Sequence, residues 1–268
     1  MTVQEHVSCN LCWRDRTRLF LATPVDTLVR CRHCGLVYVD PRPVAEATDY
    51  EEAFFLQEYK DVYRVDYLAD RENISRIARA RLEVIERYHS GGKLLDVGCA
   101  AGFLLDEARR RGWEPRGVEI SRFASEHARQ ALGLDVFTGP LEAAKFPDQE
   151  FDVVVLYFVL EHLRDPLSLL QEIGRVLKPG GLLSVAVPNI SGLYFRLNQD
   201  TWIAERVRHQ SHFYEFSPRT LRRMLARAGM RAVALTSEGR YTRGRVLASW
   251  VKRLRLGNVL LAQAVKGR

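Results

Sequence analysis

Short apolar runs alternate with amphipathic stretches from residue 73 onward. Residues 73–88 place Ile74, Ile77, Ala78, Leu82, Val84 and Ile85 at helical spacing, which predicts a helix leading into a fold. Leu94, Leu95 and Val97 form the uninterrupted apolar run of a strand buried on both faces. Phe103, Leu104 and Ala108 open a helix that Gly112 stops, and Arg116, Gly117 and Val118 form a second strand with Glu119 at its carboxyl end. The pattern then predicts a helix over 122–132 closed by Gly133, strands over 135–137 and 151–157, and a helix over 166–177. Lys178-Pro179-Gly180-Gly181 reads as a turn before a strand over 182–187. Ser217 as N-cap and Pro218 at the first helical position open a helix to Ala228, closed by Gly229, and strands follow over 231–236 and 259–265. Strands alternating with helices predict an α/β fold, a mostly parallel sheet covered on both faces.

The front of the chain has another pattern. Cys9-x-x-Cys12 and Cys31-x-x-Cys34 are two closely spaced pairs separated by 18 residues. That is the spacing of a four-thiolate zinc ribbon, whose two knuckles close a tetrahedral site. A site closed by four protein ligands leaves no position for substrate, so the zinc is expected to be structural. It would let about 40 residues fold around a small core. Leu36 to Val39 reads as a strand and Asp40-Pro41-Arg42-Pro43 as a turn. Residues 50–67 hold Tyr50, Phe54, Phe55, Tyr59, Tyr63 and Tyr67, which would suit an amphipathic helix with an aromatic face. The domains expected are a zinc ribbon over 1–43, a linker and capping helix over 44–74, and a large domain over 75–268.

Composition narrows the class. The 268 residues suffice for one large α/β domain with a small module, and 47% hydrophobic content argues for a substantial core rather than disorder. No run of about 18 apolar residues is present, and the first ten residues lack the apolar stretch of a signal peptide, so a cytoplasmic protein is expected. The net charge of +7 comes from arginines dispersed over helices, which reads as a solvated basic surface.

The chemistry concentrates in residues 93–120. Asp96 is followed by Gly98 and Gly102, with Cys99, Ala100 and Ala101 between them, so the turn admits a closely approaching ligand. The spacing is Asp-x-Gly-x-x-x-Gly, not the G-x-G-x-x-G that receives a pyrophosphate at a helix N-terminus. An acid at the tip of the second strand can accept both hydroxyls of a ribose. A ligand with a ribose and an ammonium group but no phosphate, such as S-adenosylmethionine, suits this set. An ordinary βαβ unit whose Asp and Glu only cap and solvate would look similar.

These residues resemble motif I and the acidic loop of class I S-adenosylmethionine-dependent methyltransferases. Phe151-Asp152-Val153-Val154, the segment from Leu160 to Pro166, Leu177-Lys178-Pro179-Gly180-Gly181 and the Ser217 helix extend the resemblance over roughly 75–237. Cys-x-x-Cys-Gly-Leu-Val-Tyr followed by Pro41-Arg42-Pro43 resembles the front end of bacterial methyltransferases of natural-product and polysaccharide pathways. The resemblance implies a Rossmann-like, seven-stranded domain and places Asp96, Gly98, Ala100, Ala101 and Gly102 around the methionine part of the cofactor. Glu119 and Ile120 would meet its ribose and adenine edge, and Tyr157 would line the pocket near the sulfonium. Relatives often carry Asp where this chain has Pro140, so Leu141 or Glu142 would supply the adenine contact. The aromatic segment would lie over the cofactor, with Tyr59 closing the pocket.

The catalytic group is less legible. His162 is a candidate base that could equally be a packed structural histidine, and His209 and His212 are the runners-up, each read more readily as structural. In metal-dependent relatives the pattern is Glu-x-x-Glu-His; here Phe158 stands at the first Glu, so the carboxylate pair for a hard cation is incomplete, and Glu161 is read as satisfying nearby backbone. Residues 188–216, with Asn189, Tyr194, Phe195 and Trp202, are expected to lid an acceptor pocket. Residues 244–256 could lie on a membrane surface, or pack against the sheet or a twin subunit in a homodimer. The reading is a methyltransferase acting on a small molecule, a sugar, phenol or amine. The alternative is a zinc-ribbon RNA methyltransferase that grips phosphates with its basic charge.

Overall fold

The computed structural model describes residues 3–44, 59–60, 64–209, 212–239 and 254–267, excepting the side chains of 208 and 209. Tyr50, Phe54, Phe55, Tyr63 and most of the 244–256 stretch therefore lie outside the described residues. Among the described residues no helix is long and apolar enough to cross a membrane.

In chain order the elements begin with strands β1 (Gln4–Glu5), β2 (Thr17–Ala22), β3 (Thr27–Cys31), β4 (Val37–Val39) and β5 (Arg42–Pro43). Helix α1 (Arg71–Ile85), strand β6 (Lys93–Val97), helix α2 (Phe103–Arg110), strand β7 (Glu114–Glu119), helix α3 (Arg122–Leu132) and strands β8 (Asp135–Thr138) and β9 (Phe151–Tyr157) follow. The rest is helix α4 (Pro166–Val176), strand β10 (Leu177–Pro188), helices α5 (Leu193–Leu197) and α6 (Gln199–His209), strand β11 (Tyr214–Glu215), helix α7 (Pro218–Arg227) and strands β12 (Met230–Glu238) and β13 (Val259–Lys266). Seven strands form one mostly parallel sheet in the order β12-β13-β10-β9-β6-β7-β8. The expected α/β, Rossmann-like, seven-stranded fold is thus the observed one.

The chain divides into two compact units. One comprises 1–46, 158–171 and 185–264; the other comprises 47–157, 172–184 and 265–268. In the second unit β6 runs parallel to β7 and to β9, with Asp96 opposite Gly117 and Val155. Its core gathers Leu82 and Ile85 of α1, Leu94 of β6, Leu105 and Ala108 of α2, and Val153 and Val155 of β9, all fully buried. Apolar positions at helical spacing on α1 and a continuous apolar β9 explain this packing, at roughly 25 cal/mol per Å² of apolar surface removed from water.

Two expectations change here. Lys178 to Gly181 is not a free turn but the start of β10. Asp152 accepts a hydrogen bond from Lys178 Nζ at 2.7 Å, and Gly181 leaves room for a backbone approach, since a Cβ there would lie 2.9 Å from Lys178 O and 3.1 Å from Asp152 O. Residues 40–43 likewise end in a strand: β5 pairs antiparallel with β1, and Arg42 Nε donates to Glu5 at 3.0 Å.

In the first unit β11-β4-β3-β2 form a four-stranded sheet, antiparallel at each pairing, which joins residues 214–215 to the cysteine-bearing strands. Leu28, Val37 and Val39 are its core, with Phe20, Leu21 and Trp202 packed on them. Ser217 caps α7 as the sequence predicts, in a capping box with Thr220.

Gly117 tests the second unit's packing. A Cβ on it would lie 2.6 Å from Cys99 Sγ and 2.8 Å from Leu105 Cδ1. Gly117→Ala is expected to lower stability by about 1–3 kcal/mol in denaturant unfolding through overpacking. Adding Cys99→Ala should recover part of that loss.

Candidate functional site

The turn after β6 is built from left-handed residues: Gly98 (φ 77°), Ala100 (φ 49°) and Gly102 (φ 81°). Ala100 bears the cost of that conformation, which a residue with a Cβ adopts only when something holds it there. Glu119 does so. Its Oε2 accepts the Ala100 N–H at 2.8 Å, and its Oε1 accepts the Ser121 N–H at 2.8 Å. Ser121 Oγ in turn caps α3 by accepting from Ala124 N–H at 3.2 Å. Val118 O receives the N–H of Gly98 at 2.8 Å and of Cys99 at 3.2 Å. One buried carboxylate thereby joins the glycine turn to the start of α3. Burial raises the Glu119 pKa, while the backbone donors at Ser121 and Ala100 pull against that rise. Each carboxylate oxygen retains a further lone pair for a ligand donor.

Asp96 is 5% exposed. Burial first, then the charge of Glu119, pushes its pKa up to about 7, and Arg81 works the other way. The Arg81 guanidinium lies 4.3 Å from the centre of the Tyr157 ring, and the Tyr157 hydroxyl is 2.6 Å from Ser184 Oγ. Tyr67 stacks on Phe103 with ring centres 5.6 Å apart, and Tyr59 meets Tyr67 edge-on at 4.8 Å while donating its hydroxyl to Asp70 at 2.6 Å. Burial, then the charges of Tyr59, Asp96, Cys99 and Glu119, holds the Tyr67 phenol well above its usual range.

The structure brings Asp96, Gly98, Ala100, Gly102 and Glu119 into one turn and sets Tyr157 beside them through Arg81. Ala101 is fully buried, and Ile120 is 51% exposed, an apolar face left open next to Glu119. Leu141 is buried and Glu142 exposed on a one-turn helix, Leu141–Ala144. Cys99, in the middle of the turn, packs its side chain into the core beside Gly117. Tyr59 packs edge-on against Tyr67. Tyr67 belongs to the aromatic segment expected over the cofactor, while Arg81 went unremarked in the sequence. Arg81 had a signal, since it falls on the α1 face of Ala78, Leu82 and Ile85, where a cation is out of place.

A turn of this kind fits an adenosyl group with a cationic tail and disfavours a phosphate. The Ala100 N–H that would greet a phosphate is already taken by Glu119, and two buried acids repel an anion.

The cysteines make a second centre, in the first unit. One sulfur from each of Cys9, Cys12, Cys31 and Cys34 lies within 4.8 Å of the others, with Cys9–Cys34 at 3.4 Å and Cys12–Cys31 at 3.5 Å. These separations are too long for disulfides, and all four thiols are free. Each pair is wound into a knuckle, Cys12 N–H donating to Cys9 O at 3.1 Å and Gly35 N–H to Cys31 O at 3.0 Å. Crowding separates the thiols: Cys9, hydrogen-bonded to Cys34, is held well up, and Cys34 is pulled down to about 5 by the same bond. A quartet of soft donors at this spacing, three of them buried and Cys12 part-exposed, fits tetrahedral Zn²⁺.

Also in the first unit, the one-turn helix Leu160–His162 brings His162 to His212, with ring centres 4.7 Å apart. His212 Nδ1 is 3.6 Å from Glu215 Oε1. Desolvation opposes the charge on His212, but Glu215 and then Glu161 outweigh it and raise its pKa. Glu161 is expected to satisfy nearby backbone, and its carbonyl accepts Phe213 N–H at 2.8 Å. Among the described residues neither of its buried carboxyl oxygens has a hydrogen-bond partner, and burial pushes its pKa up to about 7. His209 ends α6, and its side chain lies outside the described residues.

The strand order, the left-handed turn after β6 and the acid closing β7 define a class I S-adenosylmethionine-dependent methyltransferase fold. The family model described as "Methyltransferase domain" matches residues 67–235, and the chain belongs to that family. It is similar to the ubiquinone biosynthesis O-methyltransferases of Ruegeria pomeroyi (39% identity over 102 residues; 36% of this chain, 41% of that protein) and Methylococcus capsulatus (34% over 120 residues; 41% and 50%). The chain thus spans half or less of the length of these curated relatives. Among solved structures it resembles a SAM-dependent methyltransferase from Archaeoglobus fulgidus (TM-score 0.59, 21% identity, 80% of this chain and 100% of that one). It also resembles a possible histamine N-methyltransferase from Thermotoga maritima (TM-score 0.56, 18% identity, 79% and 99%). At these identities the structural likeness is one of fold.

Elemental analysis of protein purified under reducing conditions is expected to give one zinc per chain. Cys31→Ser should lower that ratio and the melting temperature together. A folded, metal-free wild type would contradict the assignment.

Proposed function

We propose that the chain is an S-adenosylmethionine-dependent methyltransferase acting on a small molecule. The observation that carries this reading is the buried Glu119 carboxylate, fixed by the Ala100 and Ser121 amides at the tip of β7 with lone pairs left for ribose hydroxyls. Asp96 sits where an ammonium or sulfonium charge would be met by a carboxylate, and the open Ile120 side chain offers a face to adenine.

When bound, S-adenosylmethionine supplies a methyl group on positively charged sulfur, a leaving group already activated. The residues of this chain then bind and orient, since in-line transfer gains most from holding donor and acceptor in place. A base is required where the acceptor carries a proton that must leave. Within its own unit His212 is the group best equipped to take one, because Glu215 and Glu161 stabilise the imidazolium that results. The names of the matched relatives favour a small hydroxyl-bearing acceptor over the RNA alternative. Four reduced thiols support a cytoplasmic location.

Calorimetry is expected to show S-adenosylmethionine binding, and Glu119→Gln is expected to weaken it by about tenfold or more, the loss of a charge-assisted hydrogen bond. An unchanged dissociation constant would place the ribose elsewhere.

The pH dependence follows from Asp96. With its pKa at about 7, the carboxyl is ionised above that pH and neutral below it. A cationic ligand favours the ionised form, so affinity should be full above pH 7 and fall as pH drops through it. Asp96→Asn should bind weakly at pH 8 with a flattened profile. In the ligand-free protein the sense for stability is opposite: ionising this buried acid costs, so its contribution to stability declines as pH rises from about 4 to about 7.

A further inference from the structure

We propose that Asn10, inside the first cysteine knuckle, is a positioning residue for the His162–His212 pair, and that the four-thiolate centre sets that pair's geometry through it. The proposal rests on the reading of His212 as the proton acceptor.

Asn10 lies between Cys9 and Cys12 yet spends its side chain elsewhere. It is 5% exposed. Its Nδ2 donates to Asp165 Oδ1 at 2.8 Å, and its Oδ1 accepts the Leu167 N–H at 3.1 Å. Asp165 Oδ1 also accepts from Ser168 N–H at 3.0 Å. Asn10 and Asp165 thus share the capping of the first turn of α4, three residues beyond His162. A knuckle needs no such bond to close around a metal. Burying a primary amide to make two contacts more than 150 residues away in sequence fixes the loop that carries Glu161 and His162.

The second knuckle reaches the other histidine. Cys31 and Cys34 lead directly into β4, and β4 pairs with β11, Tyr38 opposite Tyr214 and Val37 opposite Glu215. Val39 N–H donates to Phe213 O at 2.9 Å, and Phe213 N–H donates to Glu161 O at 2.8 Å. The Tyr214 hydroxyl and Arg42 Nη1 both donate to Arg164 O, at 3.1 and 3.0 Å. Arg223 Nη1 donates to Cys34 O at 3.2 Å. His162 and His212 therefore hang from the two halves of one cysteine site. A metal that locks the knuckles fixes the separation of the imidazoles, and a change in the knuckles moves it.

The test uses the full-length, zinc-loaded chain and follows the histidine ring signals by NMR against pH, which needs no acceptor. The groups facing His212 are Glu215, Glu161, Arg206 and the His162 ring. Asn10→Leu, close in size and unable to hydrogen-bond, is expected to keep its zinc and its S-adenosylmethionine affinity. It should move the His212 midpoint by about half a pH unit or more, as the spacing to Glu161 and His162 changes. Combining Asn10→Asp with Asp165→Asn reverses donor and acceptor and retains the bond to Leu167 but sets an NH2 group against the Ser168 N–H, so it is expected to bring the midpoint back only part of the way to the wild-type value. A second variant serves if Asn10→Leu does not fold: Asn10→Ser, smaller and too short to reach Asp165 and Leu167, should keep its zinc and move the His212 midpoint and both ring signals in the same sense. Midpoints and ring signals unchanged in the folded, zinc-loaded variants overturn the proposal. A wild-type His212 without a raised midpoint would instead sink the proton-acceptor reading and leave the coupling to be judged by the ring shifts of the variants.

Discussion

The second unit turns on one carboxylate. Glu119 is nearly buried, and burial alone would favour its neutral form. It is tolerated because two backbone amides, Ala100 and Ser121, each donate to one of its oxygens. Without an acceptor, the Ala100 N–H would be stranded in a left-handed turn that no residue with a Cβ adopts freely. Without those donors, the acid would be an uncompensated buried charge. The arrangement stabilises both, and it sets a carboxylate where nucleotide folds usually present a cluster of free N–H groups. The choice between a phosphate and an adenosyl cation is made by which partner consumes the amides.

Asp96 adds a second acid to the same neighbourhood. In this dry site burial and then the charge of Glu119 raise the cost of ionising Asp96, Arg81 works against that rise, and Tyr67 stacks on Phe103 nearby. A cationic ligand would relieve this tension, which is a physical reason for affinity as well as selectivity. In the first unit the economy is different. Four thiols and a small apolar core of Leu28, Val37 and Val39 hold a sheet whose fourth strand comes from residues 214–215. Asn10 of the first knuckle is hydrogen-bonded to Asp165 and Leu167, and β4, which follows the second, to Phe213, so a metal bound there would act on more than the segment that holds it.

Much of this was legible in the chain. The spacing from Asp96 through Gly98 and Gly102 to Glu119 announced the turn and its acid, and the doubled Cys-x-x-Cys announced the thiol quartet. Apolar periodicity located the sheet strands, and Ser217-Pro218 located the start of α7. What escaped depends on contacts distant in sequence. Nothing near residues 37–39 announces pairing with 213–215, and Lys178 to Gly181 looks like a turn until Asp152 is seen to hold Lys178 in β10. Tyr67 was one aromatic among six, and only its stacking on Phe103 separates it from Tyr59. Local pattern reports the period of an element; it does not report which distant group an individual side chain will meet.

The most direct measurement is a crystal structure of the chain with S-adenosylhomocysteine, which keeps the ribose and amino-acid parts of the donor. The ribose hydroxyls are expected on Glu119, with the Ala100 and Ser121 amides still bonded to the same carboxylate and the amino-acid end toward Asp96. A ligand seated away from the tips of β6 and β7, or a Glu119 carboxylate that releases both amides and touches no hydroxyl, would contradict the account.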